Sequence, residues 1–179
     1  MLNIILIAIA VIVVVFVVVV AMRPAEFRVT RSTTVTAPAQ VVFTQVNELK
    51  KWEAWNPWGK IDPAMKSTYE GPPMGIGAIN RWAGNNKVGE GSMTIIESRP
   101  NDLVRFRLEF LKPFKATNSA EFTFKPEGGQ TIVTWIMSGK NNFMVKAVGL
   151  FMDCDKMIGS QFEKGLADMK SAAEAAGKK

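Results

Sequence analysis

The chain has no histidine, a single cysteine (Cys154) and a single tyrosine (Tyr69) in 179 residues. Without imidazole, Ser-His-Asp and Cys-His nucleophilic machinery, histidine acid/base work and the usual His-containing zinc sites are excluded. One cysteine closes no intramolecular disulfide, so nothing indicates an oxidising compartment. An enzyme built from this chain would rest on carboxylates, lysine, Tyr69 or binding alone, and neither a cofactor nor a metal is expected.

Charge is missing too, but only locally: the first 22 residues carry no charged side chain. Residues 4 to 22, IILIAIAVIVVVFVVVVAM, are an unbroken apolar run that would span about 28 Å as a helix, enough to cross a hydrocarbon core. A cleaved signal peptide is the rival, with small or β-branched residues at 19 to 21. Against it, the preceding MLN lacks Lys or Arg and the apolar run is too long. An uncleaved single-pass anchor over residues 1–22 is therefore expected. Arg23, Arg28 and Arg31 follow it, and the positive-inside rule then puts the rest of the chain in the cytoplasm.

Residues 23 to 26 read as a short linker, 27 to 175 as one domain with one core, and 176 to 179 as a frayed tail. The net charge of +6 comes from 22 basic and 16 acidic residues spread along the chain. Such a surface can lean towards anionic headgroups or can simply be soluble, and there is no polybasic block.

Secondary structure follows from period. EFRVTRSTTVTA alternates as a strand. In APAQVVFTQVNELKKWEAW, Pro38 suits a first helical position with Thr36 or Ala37 as cap, and Val42, Phe43 and Val46 form a helical face to about Asn47. A second short helix runs from Glu48 to Trp55 and ends at Asn56-Pro57. Six alternating runs then follow at hairpin spacing: KSTYEG, GAINRWAG, GSMTIIESRP, DLVRFRLEFLKP, ATNSAEFTFKPEGG and QTIVTWIMSG. From residue 141 helical periodicity returns, with Ile158, Phe162, Leu166 and Met169 on one stripe of a long helix. Gly149, Gly159 and Gly165 weaken that helix unless close packing or a bend requires them.

These pieces, in this order, resemble the polyketide cyclase/dehydrase and lipid-transport group of the START-like, or SRPBCC, superfamily. The resemblance covers about residues 27 to 170. It is carried by FRVTRSTTVTAP with VFTQVNELKKWEAWNPWGKIDP, by YEGPPMGIGAINRWAGNNKVGEGSMTI, and by TIVTWIMSG with FEKGLADMK. Together they are similar to a membrane-anchored bacterial branch. The resemblance implies an α+β helix-grip fold (START/Bet v 1-like): a seven-stranded curved antiparallel sheet around a long C-terminal helix, with an apolar cavity between them. It carries over no catalytic residue.

If the strands alternate as read, one face collects Trp82, Met93, Phe106, Leu108, Phe110, Phe122, Trp135 and Met137, joined by Phe151, Met152 and Phe162 from the helix. With Trp55 and Trp58 these residues line either a pocket for a hydrophobic small molecule or lipid, or a close-packed core. Arg31, Asn80 and Asn118 share that face and either orient a ligand headgroup or pair among themselves. A slip of one residue would reverse every such facing.

Other motifs are weaker. GIG at 75 to 77 and GEG at 89 to 91 precede no helix and read as hairpin glycines, not a nucleotide loop. Asp153 and Asp155, two apart on a helix, point to different sides. Few basic residues interleave Trp52, Trp55 and Trp58, which argues against nucleic acid and for closure of the core or an interfacial belt. The expected function is a membrane-tethered binding domain. The alternatives are a cyclase/dehydrase-type enzyme using Tyr69, Glu121 or Asp153 as acid or base, and an interaction module whose cavity is vestigial. The sequence carries no signal for oligomeric state.

Overall fold

A computed structural model describes residues 1–151 and 153–177; Met152, expected beside Phe151, lies outside them. Helix α1 (Leu2–Ala21) touches the other described residues only near its C-terminal end, where Lys146 Nζ donates to Ala21 O. Its mean hydropathy is 3.8 and its side chains are exposed apart from Val20, so it is long and apolar enough to cross a membrane.

The expected helix-grip fold follows. Strands β1 (Glu26–Val35), β2 (Lys66–Glu70), β3 (Ile79–Ala83), β4 (Glu90–Arg99), β5 (Leu103–Lys112), β6 (Ala116–Glu127) and β7 (Gln130–Lys140) form one antiparallel sheet in the order β1-β7-β6-β5-β4-β3-β2. Short hairpins join β2 through β7 in sequence, while β1 adds to the far edge beside β7. Period-2 alternation gives the sheet an apolar concave face and a charged convex one. The convex face carries Arg105, which pairs with Glu97 and, at 2.8 Å, with Glu121.

Helix α2 (Ala39–Asn47) buries Val42, Phe43 and Val46 against the sheet, as its spacing predicts. Pro38 is its cap residue rather than its first helical residue, with its carbonyl accepting from Val41 and Val42 N–H at 2.9 and 3.3 Å. A 3-10 helix (Leu49–Ala54) follows. That helix ends before Asn56-Pro57, as expected, and a further helix starts there, α3 (Pro57–Ile61). Asn56 Oδ1 accepts the Trp58 N–H at 3.0 Å, and Pro57 fills the first helical position, where its missing N–H costs nothing. Trp58 is thus held on a helix.

The expected long C-terminal helix is interrupted. Asn142 caps α4 (Phe143–Val148), which ends at Gly149, and Asp153 caps α5 (Cys154–Ala176) by accepting the Lys156 N–H at 2.9 Å. Helix α5 then lies along β1. Asp155 and Glu163 hold Arg31, and Glu174 accepts the Thr36 N–H at 2.8 Å. Two of the glycines are there because side chains approach them. A Cβ on Gly159 would collide with the Arg31 guanidinium, and one on Gly165 would press on Pro57 and Trp135 at 3.0 Å.

Candidate functional site: the concave face

Strand register resolves the concave face into rows. The deepest rows, such as Val29, Met137, Ala120, Phe106, Ile95 and Ala78, are entirely buried. One step towards the strand ends lies a row that crosses all seven strands: Phe27, Gly139, Asn118, Leu108, Met93, Asn80 and Tyr69. Apart from Met93 it is only half-buried. A second row beyond it, Ala116, Phe110, Gly91, Trp82 and Ser67, is also half-buried save for Gly91. Both lie past the first turn of α5, which grips β1 from Arg31 onwards.

The other half of the concave face is filled by aromatic rings. Trp135 of β7 stacks on Phe162 of α5, with centroids 3.9 Å apart and planes within 5°. It also stacks on Phe122 at 4.7 Å. Trp52, Trp55 and Trp58 present edges to it at 5.9, 5.9 and 5.8 Å. Edge-to-face contacts of this kind let the positive ring edge meet the negative face. Trp52 Nε1 donates to Val46 O at 2.9 Å and Trp55 Nε1 to Gln45 O at 3.2 Å, so the two indoles also satisfy carbonyls near the end of α2. Trp135 Nε1 differs: it is buried and, among the described residues, is the side-chain polar atom without a partner.

Residues 26–174 match the family described as polyketide cyclase / dehydrase and lipid transport. The chain belongs to this family. A structure from Chromobacterium violaceum is similar at TM-score 0.60 and 11% identity, covering 85% of this chain and 99% of that one. The Aha1 dimer from Colwellia psychrerythraea is similar at TM-score 0.60 and 14% identity, covering 83% and 96%. Ginseng major latex-like protein 151 from Panax ginseng is similar at TM-score 0.54 and 14% identity, covering 86% and 99%. At such identities the likeness is one of fold. No curated protein matches the sequence.

In this member of the polyketide cyclase / dehydrase and lipid transport family, the apolar residues predicted from sequence separate into two groups, with one exception. Trp55, Phe106, Phe122, Trp135 and Phe162 sit in the closed aromatic half, with Trp58 at its edge. Trp82, Met93, Leu108 and Phe110 lie in the half-buried rows, and Met137 lies one row deeper. Phe151 joins neither group. It is 82% exposed in the connection between α4 and α5, because the helix expected to carry it beside Phe162 is broken there.

The polar residues also part company. Arg31 faces inward but is engaged by α5: its Nε donates to Glu163 at 2.7 Å and its Nη2 to Asp155 at 2.9 Å. The hydrogen bonds to Asp155 and then Glu163 raise its pKa further, so it stays a cation bound to two carboxylates. Asn80 and Asn118 share the half-buried row. Asn80 Nδ2 donates weakly to Thr68 O at 3.4 Å, and Asn118 leans over Gly139, where a Cβ would strike its side-chain oxygen.

Of the three acid/base candidates, Glu121 lies on the convex face with Arg105 and Asp153 is spent as a helix cap. Tyr69 alone is on the concave face. Its hydroxyl donates to Glu53 at 2.9 Å, and burial, followed by that bond, pushes its pKa up, away from use as a base near neutrality. Phe27 and Tyr69 complete the half-buried row but were not among the residues predicted to line the site. The strand alternation at Phe27, Val29 and Arg31 was the available signal for Phe27.

Proposed function

We propose that the chain is a membrane-tethered binding domain that holds a hydrophobic small molecule or lipid against the half-buried rows of its concave face. One observation carries this reading. The apolar interior grades from closed to open across the sheet, and its open rows interleave Phe27, Leu108, Met93, Trp82 and Phe110 with Asn80 and Asn118. Ligand sites combine this kind of apolar lining with a few polar groups that fix orientation. Burial of ligand hydrocarbon there contributes roughly 25 cal/mol per Å².

In this reading residues 1–22 are the anchor, 23–26 the linker and 27–175 the binding domain, with Arg23, Arg28 and Arg31 keeping it on the cytoplasmic side of a bacterial inner membrane. The open rows lie at the end of the sheet where β1 leaves α1, so the tether holds them close to a bilayer that supplies the ligand. Family membership supports a hydrophobic ligand.

The test is native mass spectrometry of the full chain released from bacterial membranes in a nanodisc, followed by titration with a fluorescent fatty acid. A retained or titratable ligand whose affinity falls about tenfold on Leu108→Asp is expected. A chain that is always empty and binds no probe would overturn the proposal. For sidedness, protease added to intact spheroplasts should leave the domain whole.

A further inference from the structure

A recess of about 490 Å³ lies between the end of α1, the start of β1 and α4. Its walls include Arg23, Lys146, Phe27, Leu150 and Phe151. Contacts across it tie α4 and its flanks to the anchor's end and the linker: Lys146 Nζ donates to Ala21 O at 3.5 Å, Arg23 Nη2 to Gly149 O at 3.3 Å, and Asn141 Nδ2 to Pro24 O at 3.2 Å. Both cations spend donors on backbone carbonyls, and neither makes an ion pair among the described residues. Glu26 and Asp153 also line the recess, but Asp153 is occupied in capping α5.

Helix α4 has no buried residue. Met144 and Val148, four apart on α4, share one exposed apolar face at 58% and 42%, with Phe143 beside it at 48% and Phe151 in the following turn at 82%. A face like this on a free surface costs solvation, yet here it borders the end of a helix apolar enough to span a bilayer. The position of that helix end fixes where the polar–apolar boundary of the membrane falls relative to α4.

We infer that α4 and the turn after it dock on the bilayer that α1 spans. Phe143, Met144, Val148 and Phe151 enter the headgroup–acyl boundary, and Arg23 and Lys146 meet the phosphate of an anionic phospholipid at the recess. The occupant is thus an anionic lipid surface, chosen by continuity with α1 and by the two cations without carboxylate partners. Interfacial elements bind in this way, through buried apolar area plus attraction to anionic lipid. Docking turns the Phe27 end of the concave face towards the headgroups. The inference rests on the anchor reading of α1.

The experiment uses the full chain in a Cys154→Ser background, spin-labelled singly through Met144→Cys, Phe151→Cys, Val11→Cys or Glu127→Cys. The protein is reconstituted in vesicles of phosphatidylcholine alone or mixed with phosphatidylglycerol, and collision with oxygen and with a nickel chelate is measured. Labels at 144 and 151 should be oxygen-accessible and nickel-protected like that at 11, more so with phosphatidylglycerol, while 127 stays aqueous. Arg23→Gln or Lys146→Gln should each reduce the docking equilibrium constant by about fivefold.

A lipid-buried label at 11 with aqueous labels at 144 and 151 overturns the docking and leaves the anchor standing. An aqueous label at 11 overturns the anchor and the docking with it. Protection at 144 and 151 that grows with protein density, with spin–spin broadening, means a second copy covers the face and overturns the inference. Docking indifferent to phosphatidylglycerol and to both charge variants overturns the phosphate assignment.

Discussion

Arg31 of β1 and Glu163 of α5 meet at 2.7 Å, and the same guanidinium reaches Asp155 at 2.9 Å, so one side chain fastens an edge strand to the helix the sheet grips. The fit depends on Gly159, whose position leaves no room for a Cβ beside Arg31. Gly159→Ala should lower stability by about 1–3 kcal/mol through overpacking, despite the better helix propensity of alanine. In an Arg31→Ala background the same substitution should cost much less. Thermal melting of the four proteins checks this, and equal losses in both backgrounds would show that the guanidinium is not the obstacle.

Trp52 touches Trp55, Phe106, Phe122 and Trp135 at ring distances of 4.2, 5.5, 5.6 and 5.9 Å. Removing it opens the closed half of the interior. Trp52→Ala should cost about 3–5 kcal/mol, read as a fall in the denaturation midpoint with the transition still cooperative.

Trp52 and Trp135 are both buried indoles with opposite hydrogen-bond standing: Trp52 donates to Val46 O, whereas Trp135 Nε1 has no partner. Trp52→Phe leaves a buried carbonyl short of a donor, while Trp135→Phe removes a donor that was already unsatisfied. Trp135→Phe should therefore be the milder change by about 1–2 kcal/mol. Denaturant titration of the two variants decides it, and a reversed order would mean that Trp135 has a partner in solution.

Tyr69 is the lone tyrosine, so phenolate absorbance reports it without interference. Burial and the hydrogen bond to Glu53 raise its folded pKa above the unfolded value of about 10. The sign follows: the stabilisation is fully present below about pH 10 and is lost as pH climbs from there through the folded pKa. Phenolate should thus appear later than in free tyrosine and together with unfolding. Tyr69→Phe should flatten the alkaline limb of stability. A midpoint near 10 in the folded chain would overturn the assignment.

Much of the fold was legible because it is written in local periods. Alternation marked all seven strands, and the spacing of Ile158, Phe162, Leu166 and Met169 marked the buried stripe of α5. Misreadings arose where one residue serves two ends. Pro57 closes the 3-10 helix region and opens α3, and Asp153 reads as part of a helix but caps it. Helical spacing places Phe151 on one continuous helix with Phe162, and the break between α4 and α5 takes it to the surface.

The sequence by itself determined the seven strands, the buried stripe of α5 and the apolar helix at Leu2–Ala21, because side-chain period and hydropathy are properties of neighbouring residues. Only the tertiary structure decided that Phe27, Asn118, Leu108, Asn80 and Tyr69 share one row, that three tryptophans close the opposite half, and that Arg31 is taken by α5. Rows and closures are set by register and by which helix covers which strand, and those are agreements between segments distant in the chain.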